Sequence, residues 1–201
     1  DVAPSRGLGD VYKRQIVNCG WRRAKNKKGG SIWLEKAIAP TFVNNLVYDC
    51  RFGLKQPKKD GADLEHSTIA PNYYFASTET GVKQMSKDAD MIIWNDNDIK
   101  SNVAGQFNPL FRNFKQSDVM NINCEIDNVQ KGAPLPFDRS WNFNFQQGSQ
   151  ALSNGITNFQ RIFPNGLAFF GMKKVMFLDN SNDQNYYFAA PAPTTRFGAA
   201  L

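Results

Sequence analysis

The segment VMNINCEID occupies residues 119–127, and from Met120 onward it alternates apolar with polar side chains without a break. The apolar set is Met120, Ile122, Cys124 and Ile126, and the polar set is Asn121, Asn123, Glu125 and Asp127. A β-strand has a side-chain period of two and places the two sets on opposite faces, whereas a helix would scatter both around its circumference. The segment therefore predicts a strand with one buried and one solvated face.

Strand patterns also occur on both sides of this segment. They cover residues 32–37, 46–54, 69–76, 141–146 and 167–178, the last of which is apolar on both faces and is expected to be central. In residues 46–54 the predicted buried face is Leu46, Tyr48, Cys50, Phe52 and Leu54, with Asp49, Arg51 and Lys55 opposite. Apolar residues recur at helical spacing in residues 152–163, which predicts a short amphipathic helix. They do so again in residues 103–114, where Pro109 would break the helix. No internal repeat is evident.

These patterns predict a mainly β fold with one or two short helices. Asn44 and Asn45, which precede the strand at 46–54, have turn chemistry and favour an antiparallel hairpin or meander. We expect an antiparallel barrel or sandwich, either an OB-like barrel with insertions or, alternatively, a jelly roll.

The chain divides into three parts by composition. Residues 5–15, SRGLGDVYKRQ, resemble translated sequencing-adapter read-through of the kind found in environmental assemblies, so residues 1–15 are expected to be non-native. Residues 16–180 are predicted to form a single β-rich domain, and residues 181–201 an irregular C-terminal tail.

Composition narrows the function classes. The 201 residues carry a formal net charge of +6, which suits an anionic partner, nucleic acid first, although many proteins are mildly basic. No apolar run reaches the length of a membrane span, so no membrane partner is predicted. The three cysteines, Cys19, Cys50 and Cys124, are too few and scattered for a disulfide framework or a zinc site. Cys50 and Cys124 are expected to be buried thiols in a reducing compartment.

Catalytic motifs are missing from the sequence. His66 is the only histidine, which excludes a multi-histidine metal site, and no phosphate loop or nucleophile elbow occurs. Asp88, Asp90, Asp96 and Asp98 lack EF-hand spacing and favour a solvated loop over a cation site. Glu125 and Asp127 resemble a glycosidase pair but fit surface carboxylates better. We predict a non-enzymatic protein with no cofactor and no bound metal.

The leading hypothesis is single-stranded nucleic-acid binding, in which bases stack on aromatic side chains and cations contact phosphates. Trp33, Tyr73, Tyr74 and Phe75 are the predicted stacking residues, although core packing is the more common role for any one aromatic. The predicted phosphate contacts are Arg22, Arg23, Lys25, Lys27, Lys28, Lys58 and Lys59.

The order of these pieces resembles phage single-stranded DNA-binding proteins with an OB-fold. The similar parts are a strand broken by Pro40, a strand around Tyr48 that leads to Lys58-Lys59-Asp60, the segment NYYF at 72–75 and the segment NVQKGAPL at 128–135. The resemblance covers about a third of the chain and implies a non-enzymatic phage or viral protein. Members of that group end in an acidic tail, whereas residues 194–198 here are TTRFG.

Two other functions are open. A viral structural protein, such as a jelly-roll capsid or virion subunit, fits the many strands, and a carbohydrate-binding sandwich could use Trp141 and its neighbouring amides. The expected location is the host cytoplasm or the virion, and homo-oligomerisation is open.

Overall fold

A computed structural model of the chain describes residues 10–12, 14–21, 32–36, 38–69, 71–115, 138–158 and 194–198. Several sequence predictions lie outside these residues. They are the strands at 119–127 and 167–178, the glycosidase-like pair, the resemblance segment at 128–135, and Cys124.

The described residues are mainly β, which confirms the predicted class. The strands are β1 (Asp10–Tyr12), β2 (Gln15–Val17), β3 (Ile32–Trp33), β4 (Thr41–Val43), β5 (Leu46–Tyr48), β6 (Leu54–Lys55), β7 (Thr68–Ile69), β8 (Tyr73–Phe75), β9 (Ile99–Lys100), β10 (Phe111–Asn113) and β11 (Asn142–Phe145). The α-helix within this part of the chain is α1 (Glu79–Met85), and 3₁₀ turns occupy Ala89–Met91 and Gln150–Leu152. Thr78 begins α1 as an N-cap, because its hydroxyl accepts a hydrogen bond from the Gly81 N–H.

Three of the four sheets in the described region are parallel. Their strand orders are β1-β4-β7, β2-β5-β8-β9 and β3-β6, whereas β10 and β11 pair antiparallel. Each strand of one pass of the chain lies beside the equivalent strand of the next pass, with Gln15 opposite Leu46 and Leu46 opposite Tyr73. The chain therefore winds in stacked coils, as in a parallel β-solenoid.

The expected antiparallel barrel or sandwich is not what these three sheets form. Alternation in the sequence shows which side chains share a face of a strand. It does not show the direction of the neighbouring strand, because side chains alternate in the same way in parallel and antiparallel sheets. The turn at Asn44 and Asn45 is present, yet it is a corner between two sheets and not a hairpin, since β4 and β5 belong to different sheets.

Left-handed residues make the corners of the coils. Asn44 (φ 55°) separates β4 from β5, and Asp49 (φ 46°) ends β5 just as Asn18 (φ 54°) ends β2. Asparagine and aspartate tolerate this backbone region better than other non-glycine residues. The predicted strand at 46–54 is therefore two strands, β5 and β6, with a corner between them. Asp49, Arg51 and Lys55, predicted to lie opposite the apolar face, are also buried.

A hydrogen-bonded ladder joins one corner of successive coils. The Arg14 N–H donates to Asn45 Oδ1 (2.9 Å), the Asn45 N–H and Nδ2 donate to Asn72 Oδ1 (both 3.0 Å), and the Asn72 N–H donates to Asp98 Oδ1 (2.8 Å). Positions 45, 72 and 98 are thus structurally equivalent, although the sequence shows no obvious repeat.

The β2-β5-β8-β9 sheet is covered on both faces. An interior cluster takes residues from all three sheets, among them Phe42, Val47, Leu54 and Tyr74. An outer cluster covers the opposite face of the β2-β5-β8-β9 sheet, where Leu46, Tyr48, Tyr73 and Phe75 meet Phe111, Phe114, Phe145 and Phe197. The pair β10–β11 and the segment 194–198 thus form a second layer, and the groove described next lies where this layer meets the coils.

The division of the chain into parts stays a prediction. Residues 10–12 and 15, within the segment expected to be non-native, pair in parallel with β4 and β5. In the predicted C-terminal tail, residues 194–198 contain no helix or strand, and Phe197 is fully buried.

Candidate ligand-binding groove

Three of the predicted base-stacking residues lie in the core. Tyr73 and Tyr74 are fully buried and Phe75 is 1% exposed. Their faces alternate as predicted, because Tyr73 and Phe75 join the outer cluster and Tyr74 the interior one. Both faces of β8 are covered, so none of the three rings is available to a base, and their predicted stacking role is wrong.

The remaining predicted site residues are not brought together. Trp33 is half-buried and its Nε1 donates to Glu35 Oε2 (2.8 Å). Lys58 is exposed and forms an ion pair with Asp90, and Lys59 is exposed on the same loop. Arg22, Arg23, Lys25, Lys27 and Lys28 lie outside the described residues.

A groove of about 720 Å³ lies between the coils and the second layer. The coils contribute the last residues of β5 and β8 and the segment after β8. The second layer contributes β10, the residues on either side of it and Gln146, just after β11. The lining residues are Tyr48, Phe75, Ser77, Thr78, Gly105, Asn108, Leu110, Phe111, Arg112, Asn113, Phe114, Lys115 and Gln146. Aromatic rings form its base, and amides, hydroxyls and two cations carry its polar atoms.

Backbone hydrogen bonds hold the polar side chains of the second layer in place. Asn113 Nδ2 donates to the Ser140 carbonyl (2.7 Å), Gln146 Nε2 to the Phe111 carbonyl (2.9 Å) and Arg112 Nε to the Phe145 carbonyl (3.3 Å). In each case one end of the polar group is fixed by a backbone carbonyl of β10, of β11 or of the turn before β11. Asn113 Oδ1 and Gln146 Oε1 accept nothing from the described residues, and the terminal guanidinium nitrogens of Arg112 are likewise available to a ligand.

The groove is cationic. Arg112 and Lys115 line it and are exposed, and none of its lining residues is a carboxylate. Arg196 lies nearby with its guanidinium 4.8 Å from the centre of the Phe145 ring. Burial lowers the pKa of Arg196, and the like charge of Arg112 lowers it further. Burial also raises the pKa of Tyr48, so its hydroxyl stays protonated at the base of the groove.

The loop before β10 forms one lip of the groove and is conformationally unusual. Phe107 (φ 56°) and Leu110 (φ 55°) have left-handed backbones, and both side chains are more than a third exposed. A bulky residue in this region is strained by roughly 1–2 kcal/mol unless its surroundings hold it. The Tyr73 hydroxyl donates to the Phe107 carbonyl (2.8 Å), and Leu110 N–H donates to Asn108 Oδ1 (2.9 Å). These bonds hold two apolar side chains at the lip.

Three of the four acidic residues considered for a cation site form hydrogen bonds or ion pairs with neighbouring residues. Asp88 pairs with Lys55 and Asp90 with Lys58, while Asp98 accepts from the Asn72 and Asn95 N–H groups. His66 is exposed and contacts Asp63. Among the described residues, no group of three or more His, Cys, Asp or Glu side chains could hold a metal ion. Across the same residues, no helix has the length and apolar character to cross a membrane.

Sequence reasoning missed Arg112, Asn113, Lys115 and Gln146. Residues 142–146 carry a signal in the sequence, since a strand that alternates aromatic rings with amides is a candidate for carbohydrate binding. Residues 112–115 carried none, because their role depends on pairing with β11 across a long sequence separation. Searches with the whole chain against protein-family models, curated proteins and solved structures find no match.

Proposed function

We propose that the groove binds an acidic polysaccharide. The observation that carries this proposal is the combination of two cations with prepositioned amide oxygens in a groove whose lining lacks carboxylates. Sugar hydroxyls both donate and accept hydrogen bonds, so they can satisfy Asn113 Oδ1 and Gln146 Oε1 as well as amide and guanidinium donors. Arg112 and Lys115 suit the carboxylates of uronic acids or the sulfates of sulfated sugars.

The groove chemistry favours a polyol over a phosphodiester backbone. Phosphate oxygens accept hydrogen bonds but do not donate them, so they would leave the two amide oxygens without partners. Asn113 and Gln146 are exposed, so a ligand without hydrogen-bond donors would displace water from their amide oxygens and offer nothing in return. Stacking of bases on aromatic rings would supply much of the affinity for single strands. The three aromatic residues of β8 cannot take part in it, because they are buried.

Single-stranded nucleic acid is the second candidate. It is favoured by the exposed ring of Phe107 on a loop that also supplies groove residues, and by the net charge of +6. In that proposal Lys27 and Lys28 contact phosphate. Replacing both with Ala should then reduce the slope of log K against log salt by roughly one unit per lost contact.

A virion subunit is the remaining proposal carried over from the sequence. The jelly roll that motivated it needs antiparallel sheets, whereas the three solenoid sheets are parallel. Large particles detected by light scattering of the purified chain would support it.

The test is a binding titration with three fluorescent probes of similar length: an oligogalacturonate, a neutral dextran fragment and oligo-dT. We expect the oligogalacturonate to bind most tightly. Arg112→Ala should weaken it roughly tenfold, since a hydrogen bond to a charged group contributes about 1.5–3 kcal/mol. Lys59→Ala removes the same charge from an exposed loop outside the groove lining and is the matched control, expected to change affinity less than twofold.

The outcomes separate the candidates. Equal binding of all three probes would contradict the proposal that the groove binds an acidic polysaccharide. Equal weakening of binding by Arg112→Ala and Lys59→Ala would contradict it as well. Preferential binding of oligo-dT with sensitivity to Lys27→Ala/Lys28→Ala, and none to Arg112→Ala, would assign the protein to nucleic acid. Circular dichroism of each variant checks that the fold is retained.

A further inference from the structure

Cys19 and Cys50 lie side by side on the first two coils. The register of β2 with β5 places Val17 opposite Tyr48, and the Arg51 N–H donates to the Cys19 carbonyl (2.9 Å), which continues that register to Cys19 and Cys50. The Cys19 N–H lies 3.3 Å from Cys50 Sγ. Both residues are reduced thiols in the structure.

This arrangement fits the geometry of a disulfide. Neighbouring strands lie about 4.8 Å apart, so residues opposite each other in a parallel register have Cα atoms at about that separation. The Cα atoms of disulfide-bonded cysteines lie about 4.4–6.8 Å apart. The expected Cα separation of Cys19 and Cys50 therefore falls within the range of disulfide-bonded cysteines.

The two thiols differ in a way that suits sequential exchange. Cys19 is exposed, whereas Cys50 is fully buried. A hydrogen bond from Cys50 lowers the pKa of Cys19 to about 7, despite an opposing effect of burial. A substantial part of Cys19 is therefore thiolate at neutral pH, and thiolates are the attacking species in disulfide exchange.

We propose that Cys19 and Cys50 form a reversible disulfide that fastens the first coil to the second. The oxidant is a small-molecule disulfide such as glutathione disulfide. The Cys19 thiolate attacks one sulfur of the oxidant, which forms a mixed disulfide and releases one glutathione thiolate. Cys50, after losing its proton, attacks Cys19 Sγ, breaks the mixed disulfide and releases the second glutathione. Two electrons pass from the protein thiols to the oxidant, and their two protons end on the two glutathione molecules.

The bond would stabilise the first of the described coils. The first coil has a neighbour on one side among the described strands, since β2 is at the edge of the order β2-β5-β8-β9. Terminal repeats of solenoids depend on such protection. Closing the loop between the two cysteines should raise Tm by roughly 5–15 °C, from the loop-entropy estimate and the usual dependence of Tm on stability.

The experiment uses the full chain with Cys124→Ser, which removes the third thiol. Samples are equilibrated with glutathione disulfide or with excess dithiothreitol, alkylated and examined by intact mass and peptide mapping. We expect the oxidised sample to contain a peptide cross-linked between Cys19 and Cys50 and to melt at a higher temperature. Adding Cys19→Ser should abolish both changes and leave the Tm of the reduced protein within about 2 °C, because Cys19 is exposed.

Three results would overturn the proposal. They are complete alkylation of both thiols after excess oxidant, a stable glutathione adduct on Cys19 without a cross-link, and a cross-linked protein whose Tm is unchanged or lower. Mapping the unsubstituted chain repeats the test without Cys124→Ser. A cross-link from Cys19 or Cys50 to Cys124 there would also contradict the pairing.

Discussion

The position of Asp49 in the fold opposes the ionisation of its carboxyl group. It is 2% exposed, its Oδ1 accepts from the Ser77 N–H (2.6 Å), and its Oδ2 has no hydrogen-bond partner within the described part of the chain. Burial raises the pKa of Asp49 to about 6, although the hydrogen bonds to Ser77 oppose the shift. The left-handed corner that Asp49 occupies accepts Asn equally well, so the carboxylate charge is not needed for the turn.

Stability should therefore fall as the pH rises through the interval between the two pKa values of Asp49. Below about pH 4 the carboxyl is protonated in both the folded and the unfolded chain and contributes no difference. Between about pH 4 and 6 only the folded chain holds the proton, so the free energy of unfolding should decrease by about 3 kcal/mol for this group. Asp98, whose pKa is also raised by burial to about 6, adds a change of the same sign.

Asp49→Asn isolates the contribution of Asp49. We expect it to raise the free energy of unfolding by roughly 1–3 kcal/mol at pH 7 and to have little effect at pH 4. Urea unfolding of both proteins at pH 4, 5, 6 and 7 measures the difference. An equal difference at pH 4 and pH 7 would show that packing, and not charge, separates the two side chains.

Among the elements, the corner ladder is the feature that defines the coil repeat. Asn72 accepts two hydrogen bonds from Asn45 and donates one to the Phe42 carbonyl (3.1 Å), all in buried surroundings. Asn72→Ala removes these bonds and leaves buried polar groups without partners. We expect a loss of roughly 3–5 kcal/mol in the free energy of unfolding.

Asn97→Ala is the matched control for the ladder. Asn97 is exposed and contributes only its backbone N–H to the bond with Asn95 Oδ1 (2.9 Å). This substitution should change the free energy of unfolding by less than about 0.5 kcal/mol. Similar effects of the two substitutions in urea titrations would mean that the ladder adds little to the stability of the coils.

At the scale of the whole molecule, the second layer depends on residues far apart in sequence. Phe197 is fully buried against Tyr73, with ring centroids 5.3 Å apart, and its N–H donates to the Ala151 carbonyl (2.7 Å). Nearby, Asn44 Nδ2 donates to the Ile156 carbonyl (2.7 Å), and its own carbonyl accepts from the Gly198 N–H (2.8 Å). These contacts attach residues 194–198 to the coils.

Phe197→Ala should reduce the free energy of unfolding by roughly 3–5 kcal/mol, because it leaves a cavity in the outer cluster. Phe107→Ala removes the same ring from an exposed position and is expected to cost less than about 1 kcal/mol. Thermal unfolding of the two variants compares them directly. If Phe197→Ala were as stable as Phe107→Ala, the terminal segment would not be part of the cooperative fold.

The groove was only partly predictable from the sequence. Alternation in residues 73–75 and 142–145 correctly gave strands and their faces. The stacking role assigned to Tyr73, Tyr74 and Phe75 was wrong because alternation separates two faces without showing what covers each of them. The sequence did not indicate Arg112 and Lys115, because they line the groove only through the pairing of β10 with β11 beside the coils.

From its sequence alone, this chain is mainly β, carries positive charge and lacks the common catalytic motifs, since these properties depend on local pattern and composition. Tertiary structure alone decided that the solenoid strands run parallel, that the sheet holding β5 and β8 is buried on both faces, and that a cationic groove forms beside it. The reason is that strand direction and second-layer contacts join residues such as Leu46 and Tyr73, or Tyr73 and Phe197, whose separation in sequence leaves no local signal.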